Sequence, residues 1–400
     1  MVTIVGTHAF FLWRVRDQIA RADPDFTIFF TAGNILREKR GADLYNPRTQ
    51  QEIQAEFSAD PEIRKGPLPY IHPPYEALLF VPLTLLSYSA AFAVWECLNL
   101  LILFVVCLLL RNSLSCLGEG RAWQLLVLCL AFFPVLANFH QGQDAILLLL
   151  IVVVAFRCLE REENFAAGCW LALAIFKYHL ILPLALVLAI WKGRKLLLGF
   201  VTVAVAVVIV SLGIVGWHGA MRYPAYAWRV VSEPVFGGLP FRRLPNLLGL
   251  IGGWPFMEGA GPLTHVLVIT GSIVLFIVTV RMSNKKRERE SFRLCFSCAV
   301  ITAVLLGYST NTYDLCLLIL PLALVADYWI ATPPDNFRTR TISIFFAAVI
   351  FLSPIWFFLW MRWERINVMA FFLLGWFFAI RRDVLGSNPK GVSTKWFAPI

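Results

Sequence analysis

From residue 88 onward the chain alternates apolar runs with short charged or Pro/Gly-rich breaks. The runs fall at 88–110, 122–137, 144–157, 165–176, 180–191, 196–216, 263–280, 292–307, 313–330, 340–360 and 367–380. That gives about eleven candidate spans, several of them shorter than the roughly 20 residues that cross ~30 Å of hydrocarbon. The short runs flanking Lys177–Tyr178–His179 are therefore expected to re-enter as half-helices or to be completed by neighbouring protein, because lipid offers their backbone no partner. Upstream the pattern changes. In DPDFTIFFTAGNILREKR (23–40), Phe26, Phe29, Phe30, Gly33 and Leu36 share one helical stripe, with Asp23 as the expected N-cap, Pro24 in the first turn and Gly41 as the stop. A second short helix is expected from Asn46–Pro47, with Ile53 and Phe57 on one side. Both read as amphipathic helices at the membrane surface. Residues 1–13 are apolar, too short to span and without a basic leader; they read as the end of a truncated first transmembrane helix.

Composition changes the class of protein. Apolar residues make up 59% and charged residues 15%, against about 25% charged in a soluble domain. With a mean hydropathy of +0.71, this excludes a disordered chain, a coiled coil and a disulfide scaffold. The net charge of +10 follows the topology. One set of alternate loops, including the run Arg281, Lys285, Lys286, Arg287 and Arg289, is far richer in Lys and Arg than the other, which places it in the cytoplasm. No nucleic-acid partner is expected. The sequence divides into an exterior N-terminal segment (1–75), a first transmembrane group (76–216), an exterior loop (217–262) and a second transmembrane group with a cytoplasmic tail (263–400). The polar turns 138–143 and 308–313 and the turn at Lys177 then share the exterior face with the N-terminal segment, and no cytoplasmic loop resembles a nucleotide-binding Gly-rich turn.

Five motifs occur in order: DPDFTIFFTAG, GADLYNP, YIHPPYEALLFVPL with Trp95 downstream, NFHQGQDAILLLL, and AAGCWLALAIFKYHLILPLALV. In this order the chain resembles glycosyltransferase family 87 from about residue 23 to 195, and PNLLGL (245–250) partly echoes an Asn-containing loop of that family. The resemblance implies an all-α polytopic membrane enzyme with a GT-C-like bundle, acting on a polyprenyl-phosphate sugar, mannose by analogy. It implies a catalytic Asp in the first exterior loop, which maps to Asp25. Where the family shows Asn, this chain has Asp144, a change expected to tune one hydrogen bond. The implied setting is a bacterial cytoplasmic membrane with the active site on its periplasmic face. The partners are the lipid-phosphate donor, a glycan, glycolipid or other hydroxyl acceptor, and membrane lipids.

Such a transfer needs a base, positive or N–H groups at the departing phosphate, and hydrogen bonds around the sugar. Asp25 is the expected base: an acid in a helix's first turn is routine, but Asp23 already supplies the better cap. Lys177 interrupts an apolar run, which marks a functional position, and with His72, Arg242 and Arg243 it forms the expected phosphate-binding set. Gln141, Gln143, His179 and Asn246 are the expected sugar- or acceptor-binding residues. No Asp/His/Glu cluster stands at ligand spacing in the sequence, so neither a metal nor another cofactor is expected. The alternative reading is a transporter or flippase of a lipid-linked saccharide. Against it, the chain shows no repeated halves.

Overall fold

A computed structural model describes residues 1–58, 68–111, 113–114, 122–232, 241–253, 261–282, 289–331, 337–352 and 368–386. Among these residues every regular element is a helix. The N-terminal part holds α1 (Val2–Arg14), α2 (Arg16–Ala20), α3 (Phe26–Arg37), α4 (Pro47–Phe57) and α5 (Pro74–Phe80). Then follow α6 (Tyr88–Arg111), α7 (Ala122–Leu130), α8 (Phe133–Gln141), α9 (Ala145–Glu160), α10 (Asn164–Leu173), α11 (Tyr178–Lys192) and α12 (Arg194–Ser232). The last group is α13 (Leu247–Gly252), α14 (Gly261–Val280), α15 (Arg289–Leu306), α16 (Ile319–Ala331), α17 (Phe337–Phe351) and α18 (Met369–Gly386).

This is an all-α polytopic membrane protein. Tyr88–Arg111, Ile175–Lys192, Arg194–Val230, Gly261–Val280 and Tyr313–Ala331 are long and apolar enough to cross a bilayer, and the bent pair α7/α8 can make a sixth span. The outer faces are apolar where a soluble protein would be charged: Val205, Val208 and Ile209 on α12 and Val266, Ile269 and Ile273 on α14 are exposed. Helix α9 is the opposite case, buried along nearly its whole length. At ~1.5 Å per residue it forms a central post, packed on α6 and α10.

The sequence pattern misjudges four local features. The run 122–137 is one span on paper but bends by 72° between α7 and α8, because the chain is extended at Phe132, the residue before α8, and Pro134 in the first turn of α8 has no N–H to continue the α7 ladder. Helix α3 does not lie at a surface: Phe26 to Ile35 are all buried, because α4, α5 and the 3-10 turn Val81–Leu85 enclose it. Its stop is Lys39 at φ 61°, with Arg40 N–H donating to Ile35 C=O at 3.0 Å, the usual left-handed ending. Gly41 has another task, since a Cβ there would meet the Ile214 carbonyl of α12. Finally, residues 217–232, expected as loop, continue α12 after a break at Gly216 (φ 64°). Beyond that glycine Tyr226 and Val230 repeat at helical spacing and are buried against the N-terminal helices.

Two apolar clusters result. A large one surrounds α9, and a smaller one joins α3, α4, α5, the start of α6 and the end of α12. The turn between α8 and α9 sits where they meet.

Candidate functional site

That turn is built by its neighbours. Gly142 ends α8 in the left-handed region (φ 62°), and a Cβ there would collide with Phe26 and Phe92, so glycine is required on both counts. Trp95 Nε1 donates to the Gly142 carbonyl at 3.0 Å, Asn99 Nδ2 donates to the Gln143 carbonyl at 3.3 Å, and Asn138 Oδ1 accepts from Ala145 N–H at 3.1 Å. These bonds aim the Gln143 and Asp144 side chains at the N-terminal helices.

Asp25 faces them from the start of α3. It occupies the N-cap position, yet its carboxylate makes no cap to its own helix. Its Oδ2 instead accepts from Gln143 Nε2 at 2.8 Å, and its backbone N–H donates to Gln141 Oε1 at 3.1 Å. The two glutamines expected to bind sugar thus grip Asp25, one by its side chain and one by its main chain. Asp25 is half-buried.

Lys177 closes the other side. Residues 175–177 form a 3-10 turn between α10 and α11, where the Tyr75 hydroxyl donates to Leu173 C=O and accepts from Phe176 N–H, both at 2.9 Å. The ammonium is buried and touches Asp144 Oδ1 at 3.0 Å, Asp314 Oδ1 at 3.2 Å and Gln143 Oε1 at 3.3 Å. It also lies 4.9 Å from the centre of the Tyr313 ring. A buried Lys survives only with such partners. Gln143 accepts from Lys177 with one end and donates to Asp25 with the other, so an ammonium and a carboxylate from distant segments are joined through one amide.

His72 enters from the loop before α5. Its Nδ1 lies 2.8 Å from Glu76 Oε2 and 3.7 Å from Asp144 Oδ2. One ligand-type atom from each of the three residues falls within 4.8 Å of the others. The Tyr70 hydroxyl donates to Glu76 Oε2 at 3.4 Å, and the Tyr45 hydroxyl donates to the His72 carbonyl at 2.9 Å. Burial pulls the His72 imidazole down to about 4; the Asp144 charge opposes this shift and the Lys177 charge adds to it. His72 is therefore a neutral imidazole at neutral pH.

The remaining expected residues spread out. His179 follows Lys177, with its ring 5.6 Å from Tyr308 and its Nε2 buried without a hydrogen-bond partner. The Tyr178 and Tyr308 hydroxyls meet beside it at 2.5 Å. Asn246 is buried and occupied in holding the fold: its Oδ1 accepts from Gly249 N–H at 2.8 Å and its Nδ2 donates to Gly307 C=O. Arg243 is exposed on the 3-10 turn Phe241–Arg243, and the Arg242 side chain and the preceding 237–240 turn lie outside the described residues.

Two members of the cluster, Glu76 and Asp314, escaped the sequence reading. Each had a signal. Glu76 stands one helical turn after His72, and Asp314 follows the polar turn 308–313 between two apolar runs. Asp144, expected to tune one hydrogen bond, is central instead: it touches both Lys177 and His72.

The arrangement offers a held carboxylate, a buried ammonium and several hydroxyl and amide groups. Comparison with known proteins adds a family. A family model described as glycosyltransferase family 87 matches residues 70–309. No curated protein and no solved structure matches the chain.

Proposed function

We propose a reaction for a chain that belongs to glycosyltransferase family 87: transfer of a sugar from a polyprenyl-phosphate donor to an acceptor hydroxyl, with Asp25 as general base. Family membership makes the protein a membrane-embedded glycosyltransferase; the donor, the base and the membrane face are our reading. The observation that carries it is the Gln143–Asp25 hydrogen bond at 2.8 Å. Asp25 precedes the matched region, and this bond ties it to a turn inside that region and, through the same amide, to Lys177.

Asp25 takes the proton of the acceptor hydroxyl as that oxygen attacks the anomeric carbon. The bond from that carbon to the phosphate oxygen breaks, the electron pair leaves with the lipid phosphate, and the centre inverts. A carboxylate fixed by an amide N–H loses little freedom on reaching this geometry. Positive potential for the departing phosphate comes from Lys177, whose ammonium is fixed by Asp144 and Asp314. The half-buried Tyr178 and Tyr308 beside His179 suit the faces and hydroxyls of a sugar.

The basic loops, read as cytoplasmic, support assigning this chemistry to the periplasmic face of a bacterial inner membrane. The test is purified protein with labelled polyprenyl-phosphate mannose and candidate hydroxyl acceptors. Transfer by the wild type and its loss in Asp25→Asn, with the same melting profile, is expected. Normal turnover by Asp25→Asn, or movement of the lipid across vesicles without transfer, overturns the proposal.

A further inference from the structure

The carboxylates Asp25, Glu76, Asp144 and Asp314 converge on a region whose only ammonium among the described residues is Lys177. Glu76 and Asp144 are close enough to act on each other directly, with His72 Nδ1 approaching both. Glu76 is only 1% exposed, and no group of the protein donates a hydrogen bond to its Oε1. A buried carboxylate oxygen with nothing to accept from is costly. Among the described residues, the buried ion cluster around Arg293 leaves no such atom.

We infer that His72 Nδ1, Glu76 and Asp144 form a binding site for one divalent cation of the Mn²⁺ or Mg²⁺ type. One imidazole nitrogen and two carboxylates, mutually within 4.8 Å, are a donor set for a hard to borderline cation that keeps open positions. The cation takes the place of the proton between His72 and Glu76, while Asp144 bridges it to Lys177 through its second oxygen. The open positions accept phosphate oxygens. Binding of the cation stands on this geometry alone. Its role at a phosphate rests on the lipid-phosphate reading above.

The protein in detergent micelles, titrated with Mn²⁺ and followed by electron paramagnetic resonance of free Mn²⁺ without any donor lipid, tests the site. One Mn²⁺ per chain is expected, displaced by excess Mg²⁺, with affinity weakened roughly tenfold or more in Glu76→Gln and in His72→Gln. Gel filtration and melting curves identify any variant that fails to fold, and the other variant then decides. Absence of stoichiometric Mn²⁺ binding by the wild type, or binding unchanged in whichever of the two variants folds, overturns the inference. Asp25→Asn separates the two proposals: it is expected to bind Mn²⁺ normally, so failure of the base assignment appears only in transfer and failure of the cation site only in resonance.

Discussion

Two clusters of buried charge sit at opposite ends of α9, and they are built differently. At its C-terminal end, Arg293 donates to Glu160 Oε1 from Nε at 2.9 Å and from Nη2 at 2.8 Å, and to Asp327 Oδ2 from Nη1 at 3.0 Å. Ser113 Oγ donates to Glu160 Oε2 at 2.9 Å and accepts from Arg157, while the Ser113 carbonyl accepts from Arg293. Two arginines face two carboxylates, and none of these side chains leaves a buried polar atom without a hydrogen bond. At the N-terminal end, carboxylates outnumber cations, and Glu76 and His179 keep orphaned atoms. The Arg293 cluster ties the ends of α6, α9 and α16 to the start of α15. The Lys177 cluster leaves polar atoms that no protein group satisfies. A closed network is the mark of a clamp and an open one the mark of a site.

If that contrast is right, substitutions at the two ends should separate activity from stability. Asp25→Asn is expected to lower transfer by about 10²–10⁴-fold, the usual worth of a general base, with an unchanged melting temperature, as read by labelled-donor turnover and calorimetry. Arg293→Met should do the reverse. It removes the guanidinium that Glu160 and Asp327 share and is expected to cost about 3–5 kcal/mol of stability, while turnover per folded molecule stays near wild type. Equal loss of turnover per folded molecule from both substitutions would erase the distinction. Gln143→Leu cuts the amide link between Lys177 and Asp25 and is expected to slow transfer by about tenfold, the worth of one hydrogen bond to a charged group, with a small effect on melting.

The smallest expected effect is pH-dependent. His72 titrates near 4 when folded and at 6.5 when unfolded. Between those values the unfolded chain binds the proton and the folded one does not, so this group's contribution to stability is intact above 6.5 and falls as the pH drops toward 4. The melting temperature of the wild type should therefore decline more steeply across that window than that of His72→Gln. Parallel curves would mean that His72 is not held neutral.

Much of this was legible in the sequence, for identifiable reasons. Apolar runs announce helices wherever the solvent is lipid, so the helical class, the placement of most helices and the polar turn between α8 and α9 could be read directly. Lys177 stood out because an ammonium inside an apolar run is expensive. The circumference of α3 could not be read, because a stripe of phenylalanines looks the same whether the opposite face meets headgroups or α5. Nor could the partners of Lys177: Asp144 and Asp314 lie on segments that only the packing of α9 against the turn before α16 brings together.

The amino-acid sequence by itself determined that this is a helical membrane protein with its polar turns separated by apolar runs, because hydropathy is a local property that each segment carries alone. The tertiary structure alone decided which acids meet the lysine, that Gln143 holds Asp25, and that His72, Glu76 and Asp144 converge. Charge pairing in a low-dielectric interior depends on distances of a few ångströms between segments far apart in the chain, and no local pattern encodes those.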